Sequence, residues 1–242
     1  MKIDPCRQFS GEFVIPGDKS ITHRAVMFNA AAEGEALVTN ALLGEDCLST
    51  VACMRALGAE VAVEGNSIRV KGTRKFRSAD LYCGNSGTTM RLLMGLVSGR
   101  GVNARLTGDD SLSHRPMERV AAPLRLLGAD IRTQNGCAPV EIAAARLCGA
   151  RVDTRVASAQ VKSAVILAAL GAKGETLVHE DIKTRDHTER MLAAMGADIR
   201  VAGTDVFVGE SDLTAMEVEV PGDISSAAYF LALGALRGEV LC

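Results

Sequence analysis

Hydrophobic and polar positions recur in one fixed order along this chain. An apolar helix pattern follows a polar turn, and then come a strand led by Gly, a second apolar helix and two alternating strands. The glycine that ends the second helix recurs about every 70 residues, at Gly58, Gly128 and Gly196. Self-similarity at a fixed period indicates that one supersecondary unit has been duplicated. The pattern therefore predicts three β-α-β-α-β-β units and the start of a fourth at Asp223.

The individual elements follow from the periods within each unit. In the first unit, a strand is predicted over residues 10–16, and a helix over 20–32 that Gly34 terminates. Strict alternation over 60–64 predicts a strand that pairs with 67–70. The other predicted elements are strands 36–39, 104–107 and 176–180, helices 46–57, 87–97, 116–127, 160–171 and 185–195, and hairpins around 134–136 and 203–205.

Together these elements predict an α+β fold with helices at the centre and sheets outside. Each apolar helix face needs an apolar partner, and three units satisfy this need by packing their helices together. The tripeptide Pro-Gly-Asp occurs twice, at 16–18 and at 221–223. We expect these two points to be domain edges, so that residues 17–220 form a single three-unit domain.

Composition restricts the function. The formal net charge of −2 argues against general binding of nucleic acid or of a membrane surface, so an anion site requires a local group of cations. The seven cysteines are odd in number and lack a C-x-x-C motif, which disfavours a disulfide framework or a zinc site. The chain shows neither an apolar signal region nor an apolar run of membrane-span length. We expect a cytoplasmic protein with reduced thiols.

Small polar and cationic residues occupy the predicted helix starts. Lys19 and Ser20 begin the first helix, and Arg24 lies one turn further on, where backbone N–H groups and the helix dipole favour a phosphate. Taken singly, such residues are also ordinary caps and surface cations. The same kind of residue recurs in all three units, and pseudo-symmetry should bring these ends together around a multiply anionic substrate. The comparable residues of units two and three are Asn85, Gly87, Arg115, Ser158, Ala159, Gln160 and Arg185.

Five motifs carry a resemblance to a known family. They are Pro16-Gly17-Asp18-Lys19-Ser20 with Arg24, Gly84-Asn85-Ser86-Gly87-Thr88, Arg115-Pro116-Met117, Ser158-Ala159-Gln160-Val161-Lys162-Ser163 and Thr184-Arg185-Asp186-His187-Thr188-Glu189. In this order the chain resembles the 3-phosphoshikimate 1-carboxyvinyltransferase, or EPSP synthase, family over about residues 10–235. The resemblance implies two domains of three βαβαββ units. Residues 17–220 would be one domain, while the strand in 1–16 and the segment 221–242 would belong to an incomplete second one.

The resemblance also implies a reaction. The enolpyruvyl group of phosphoenolpyruvate is transferred to the 5-hydroxyl of shikimate 3-phosphate, releasing phosphate, by a protein that is monomeric at full length and uses no metal or organic cofactor. Lys19 is the implied catalytic residue. The implied shikimate-3-phosphate ligands are Lys19, Ser20, Arg24, Ser158, Ala159, Gln160 and Arg185. The implied phosphoenolpyruvate ligands are Lys19, Asn85, Gly87, Arg115 and Gln160.

Three alternatives compete with this interpretation. The related enolpyruvyl transferase acting on UDP-N-acetylglucosamine typically has Asn where Ser20 stands and a reactive Cys in the loop 108–116, which here contains none. RNA 3′-phosphate cyclase shares the repeat, but its active-site His motif is not visible. A truncated, catalytically inactive module that binds shikimate 3-phosphate stays open for this chain.

Overall fold

The structure is a computed structural model, and it describes residues 11–237. Apart from a missing first strand and one short extra helix, the helices and strands of this part of the chain follow the order that the repeat predicts. The elements are α1 (Lys19–Ala30), β1 (Glu35–Thr39), α2 (Glu45–Leu57), β2 (Glu60–Glu64), β3 (Ser67–Lys71), β4 (Ala79–Tyr82), α3 (Gly87–Gly99), β5 (Ala104–Thr107), α4 (Asp110–Ser113), α5 (Glu118–Leu126), β6 (Asp130–Gln134), β7 (Cys137–Ala143), β8 (Arg151–Thr154), α6 (Ala159–Ala169), β9 (Thr176–Glu180), α7 (His187–Ala194), β10 (Ile199–Ala202), β11 (Asp205–Val208), β12 (Val218–Glu219) and α8 (Ile224–Arg237).

Within residues 11–237, three four-stranded sheets share one topology. Their strand orders are β4-β5-β7-β6, β8-β9-β11-β10 and β12-β1-β3-β2. In each sheet, an edge strand runs parallel to its neighbour and the other pairs are antiparallel. The three sheets are therefore repeats of one unit, as the sequence pattern predicts.

The edge strand of the first sheet comes from the far end of the described chain. β12 pairs with β1 in register Val38↔Val218, and in this way closes the three units into one body. The strand predicted over 10–16 is wrong, because residues 11–16 form no strand; Ser10 lies outside the described residues. β12 already occupies the open side of β1, and Pro16 has no N–H to donate to a ladder.

The helices form the centre of the molecule, and the sheets lie outside it. α3 and α6 cross at glycines, where a Cβ on Gly95 would lie 2.0 Å from the carbonyl oxygen of Ala164. A Cβ on Gly171 would lie 1.8 Å from the carbonyl oxygen of Gly99, so the two backbones touch without side chains between them. Residues 22–30 of α1 are all buried. The predicted inside-out arrangement is confirmed.

Several element boundaries agree with the sequence pattern, and others do not. The strands predicted at 60–64, 104–107 and 176–180 have those bounds. Gly58 ends α2 in the left-handed conformation, with φ of 112°. The first helix, however, ends at Ala30 and not at Ala32, and Gly34 (φ 108°) leads into β1. α4 was not predicted, because four residues are too few to show a helical period.

The chain enters and leaves this body at neighbouring points. Gly17 and Gly222 form an antiparallel bridge, and the amide of Asp18 donates to the carbonyl of Pro221 at 2.8 Å. α8 begins directly after Asp223, where the sequence predicts a fourth repeat, and it leaves Tyr229 79% exposed. Among the described helices, none combines the length and the apolar character needed to cross a membrane.

Candidate anion-binding site

The first turns of α1, α3 and α6 meet at one place, which we call the mouth. Gln160, in the first turn of α6, donates from Nε2 to Thr88 Oγ1 of α3 at 2.9 Å. Its Oε1 accepts from Nη1 of Arg91 at 2.7 Å. Arg24 of α1 donates from Nη2 to Ser163 Oγ of α6 at 2.9 Å. Side chains of one helix start thus bond directly to those of the next.

A buried line of hydroxyl groups joins α1 to α3 through α2. His23 Nδ1 lies 2.7 Å from Thr50 Oγ1, which lies 2.7 Å from Thr89 Oγ1. Thr89 donates in turn to Ser86 Oγ at 2.7 Å, and Ser86 caps α3. Burial lowers the pKa of His23 to about 3, so its imidazole is neutral at ordinary pH. A row of buried, hydrogen-bonded polar side chains therefore connects α1, α2 and α3 next to the mouth.

Cations surround the mouth on the α1 side. Arg24 is buried, and it donates from Nε to Thr188 Oγ1 at 2.8 Å and from Nη1 to the carbonyl of Ser20 at 2.9 Å. Burial lowers the pKa of its guanidinium to about 10, the nearby Arg185 lowers it as well, and the group stays charged at neutral pH. Lys19 is half exposed, with Nζ 3.2 Å from Oδ2 of Asp46.

A second group of cations lies on the α3 side. Burial, helped by the charges of Arg119 and Arg115, lowers the pKa of the Arg91 guanidinium to about 10. The Nε of Arg91 is buried and has no hydrogen-bond partner among the described residues. Arg115 donates from Nη2 to Oδ1 of Asn85. A buried donor without a partner beside mutually repelling cations favours an incoming anion.

Gly87 opens α3 immediately beside these guanidinium groups. A Cβ at this position would lie 2.9 Å from Nη1 of Arg91 and 3.4 Å from Nη1 of Arg115. Asn85 precedes it and is held from both sides, because its Nδ2 also donates to Oδ2 of Asp109 at 2.6 Å. The space in front of the two arginines is thus kept clear by the absence of a side chain.

The structure brings the predicted residues of the three helix starts together. These are Lys19, Ser20, Arg24, Asn85, Gly87, Arg115, Ser158, Ala159 and Gln160, with Arg185 close to Arg24. Ser158 is the N-cap of α6, and its side chain makes no capping bond within the described residues. Arg24 differs from expectation, because three of its donors are bound inside the protein.

Some residues of the site were missed from the sequence. Lys162 is buried, with Nζ 2.7 Å from Glu180 Oε2 and 2.6 Å from Glu189 Oε1. Glu189 is a first-turn acid of α7, and its carboxylate is also buried in this ion pair. The sequence feature that could have revealed the pair is Lys162 itself, a lysine in a helix whose other buried residues are mostly apolar. Among the described residues, no group of His, Cys, Asp and Glu side chains is arranged to hold a metal.

Fold and site together define a class of protein: a three-repeat α+β domain that gathers helix N-termini and cations at one mouth. The chain matches the sequence model of the family described as EPSP synthase (3-phosphoshikimate 1-carboxyvinyltransferase) over residues 3–242. This chain belongs to the EPSP synthase family.

Individual relatives agree with that assignment. The 3-phosphoshikimate 1-carboxyvinyltransferase of Desulfitobacterium hafniense is 48% identical over 251 residues, which is 100% of this chain and 58% of that protein. The enzyme of the same name from Gloeobacter violaceus is 50% identical over 97% of this chain and 56% of its own length. A solved EPSP synthase from Acinetobacter baumannii is 46% identical with a TM-score of 0.88, covering 95% of this chain and 54% of that one. The chain thus spans little more than half the length of these relatives.

Proposed function

We propose that this chain binds shikimate 3-phosphate at the mouth and contributes that half of the site to an enolpyruvyl transferase. The main observation behind this proposal is that three helix starts converge with Arg24, Arg91 and Arg115. The chain also belongs to the EPSP synthase family. Orphan N–H groups, helix dipoles and guanidinium groups all favour a dianion at the same point.

The phosphate and ring of shikimate 3-phosphate would lie between α1 and α6. The proposed ligands are Lys19, Ser20, Arg24, Ser158, Ala159, Gln160 and Arg185. Of the five N–H donors of a guanidinium, Arg24 has three bound to Thr188, Ser20 and Ser163, so two remain for an anion. Arg185 is exposed and close to Arg24, and its charge adds to the attraction.

Phosphoenolpyruvate would lie on the α3 side, against Asn85, Gly87, Arg115, Lys19 and Gln160. In the proposed reaction the 5-hydroxyl oxygen attacks C2 of phosphoenolpyruvate while a proton is delivered to the methylene carbon and the hydroxyl proton is removed. The bond from C2 to the phosphate oxygen then breaks, inorganic phosphate leaves, and the new methyl group loses a proton, which restores the carbon–carbon double bond. This is general acid–base chemistry on two oriented reactants. Lys19 would contact both substrates and assist proton transfer. The cations would offset the repulsion between two polyanions.

We propose the domain division in the same terms. Residues 17–220 would form the shikimate-3-phosphate domain, and residues 1–16 and 221–242 would belong to the second domain of the family fold. The bridge between Gly17 and Gly222 supports this, because it places the entry and exit of the chain side by side. The exposed Ile224 and Tyr229 of α8 are apolar surface that a second domain would cover. The proposal includes a cytoplasmic monomer at full length, without metal or organic cofactor.

Titration calorimetry with shikimate 3-phosphate tests the binding proposal. The wild-type chain should bind, and Lys19→Ala and Arg24→Ala should each weaken binding at least about tenfold, or about 1.4 kcal/mol. Lys71→Ala is the control, because its exposed pair with Glu60 joins β3 to β2 in one of the outer sheets. No binding by the wild type, or unchanged affinity in both site variants, would contradict the proposal.

A phosphate-release assay with both substrates tests the second candidate function. A module that binds shikimate 3-phosphate without catalysis would show binding in the calorimeter and no release of phosphate. Phosphate release that requires both substrates would exclude that alternative. Lys19→Ala should then abolish release, while Lys71→Ala should leave the rate unchanged.

A further inference from the structure

A buried ion cluster lies behind the mouth in the third unit. It consists of Lys162, Glu180 and Glu189, whose side chains are 1%, 4% and 3% exposed. Lys162 lies on α6, Glu180 ends β9 and Glu189 lies in the first turn of α7. The cluster therefore joins three consecutive elements of one repeat unit through a single ammonium group.

The other two units fill the matched positions with uncharged residues. Counted from each helix start, the positions of Lys162 and Glu189 correspond to Thr22 and Cys47 in the first unit and to Met90 and Val120 in the second. All four of these residues are buried. The repeat thus packs well without charge at these points, and packing alone does not explain an ion cluster in the third unit. Burying charges costs free energy that apolar residues would not cost.

The cluster contacts the loop that carries Arg185. Glu180 accepts hydrogen bonds from the hydroxyl and the backbone amide of Thr184, which immediately precedes Arg185. The cluster also adjoins Arg24, since Thr188, beside Glu189, accepts from Nε of Arg24. Two of the cations that we propose as ligands of shikimate 3-phosphate, Arg24 and Arg185, thus lie next to groups that the cluster contacts.

Within the described residues the loop is otherwise held weakly, by Nε2 of His179 at 3.7 Å from Oδ1 of Asp181. Residues 181–183 are exposed, as is Arg185, so the loop buries little apolar surface that would order it. Lys162 fixes the carboxylate of Glu180 through a charge-assisted bond. The hydrogen-bond acceptor for Thr184 is therefore held in a single position. A loop that is already ordered in the free protein loses less conformational entropy when the ligand binds, so binding is tighter.

We propose that Lys162, Glu180 and Thr184 are positioning residues that hold the loop 181–186 so that Arg185 meets the phosphate of the ligand. This inference rests on the proposed function for the identity of the ligand. It requires a definite order of dependence, in which Lys162 fixes Glu180, Glu180 fixes Thr184, and Thr184 places Arg185.

The test replaces Thr184 with Val, which keeps the shape of the side chain and removes the hydroxyl. The matched control is Thr184→Ser, which keeps the hydroxyl. In calorimetry with shikimate 3-phosphate, Thr184→Val should weaken binding by about three- to tenfold, the factor that one hydrogen bond is worth, and Thr184→Ser should bind like the wild type. Adding Thr184→Val to Arg185→Ala should cause no further loss, because the first residue acts through the second.

Hydrogen exchange supplies a readout that needs no ligand. Amides of the loop 181–186 should exchange faster in Thr184→Val than in the wild type or Thr184→Ser, and the increase should be larger in this loop than elsewhere in the chain. Equal exchange in all three proteins, or losses of affinity that add in the double variant, would overturn the inference. If the wild type does not bind shikimate 3-phosphate, the proposed function fails, and the exchange rates still decide whether the cluster orders the loop.

Discussion

Replacing Lys162 with Met should destabilise the protein far more than removal of a comparable surface lysine. Met is the residue at the matched position of the second unit, so shape is nearly conserved and charge alone changes. The variant leaves the carboxylates of Glu180 and Glu189 buried together without the ammonium group that both contact. Breaking a buried pair by removing one partner costs about 3–5 kcal/mol, a large share of the about 5–15 kcal/mol that stabilises a typical domain.

Urea unfolding followed by far-ultraviolet circular dichroism measures this loss. The matched control is Lys71→Met, because Lys71 Nζ lies 2.9 Å from Glu60 Oε1 and yet both side chains are largely exposed. The two pairs have similar geometry, so the comparison isolates burial. The control should leave the free energy of unfolding within experimental error, because water and ions already screen an exposed pair.

A triple variant separates charge from shape. Lys162→Met, Glu180→Thr and Glu189→Val together install the residues of the second unit, which are Met90, Val120 and Thr107, the last residue of β5 as Glu180 is the last of β9. Most of the lost stability should return, since no buried charge is left without a partner, and replacing a whole buried ion group with uncharged residues is often neutral. If Lys162→Met costs no more than Lys71→Met, or if the triple variant is no more stable than the single one, the reasoning about a mutually compensating ion cluster is wrong.

Two further predictions concern the centre of the fold. Because burial lowers the pKa of His23 from 6.5 to about 3, the unfolded chain binds a proton in this window that the native protein does not, and stability should fall by about 1.4 kcal/mol per unit as pH drops below 6.5. His23→Asn should show a shallower dependence in urea unfolding at several pH values, and equal slopes would contradict the assignment. Gly95→Ala should abolish cooperative thermal unfolding or lower its midpoint severely, because the new Cβ would lie 2.0 Å from the backbone oxygen of Ala164. A near-normal melting curve would show that the two central helices are not in contact there.

Local patterns in the sequence determined most of the elements and their order. The alternation over 60–64 and the glycine at 58 act within a few residues, through strand pleating and through a positive φ at a helix end. The repeat then implied one topology for all three sheets. Residue types at helix starts likewise identified most of the mouth, because cap positions and orphan N–H groups are local properties of a helix.

Tertiary structure alone decided which segments that are distant in the chain pair or contact one another. No local period shows that β12 rather than the segment before Gly17 borders β1, because that choice depends on closing the whole body. The sequence predicts Arg24 as a phosphate ligand, whereas its partner Thr188 is brought to it only by packing. In the sequence, Lys162 and Glu189 each look like ordinary helix residues. They form an ion pair only because folding brings together two helices that a strand and a loop separate in the chain. A charged group that contributes little to stability at the surface has a large effect on the free energy of unfolding once folding removes it from water.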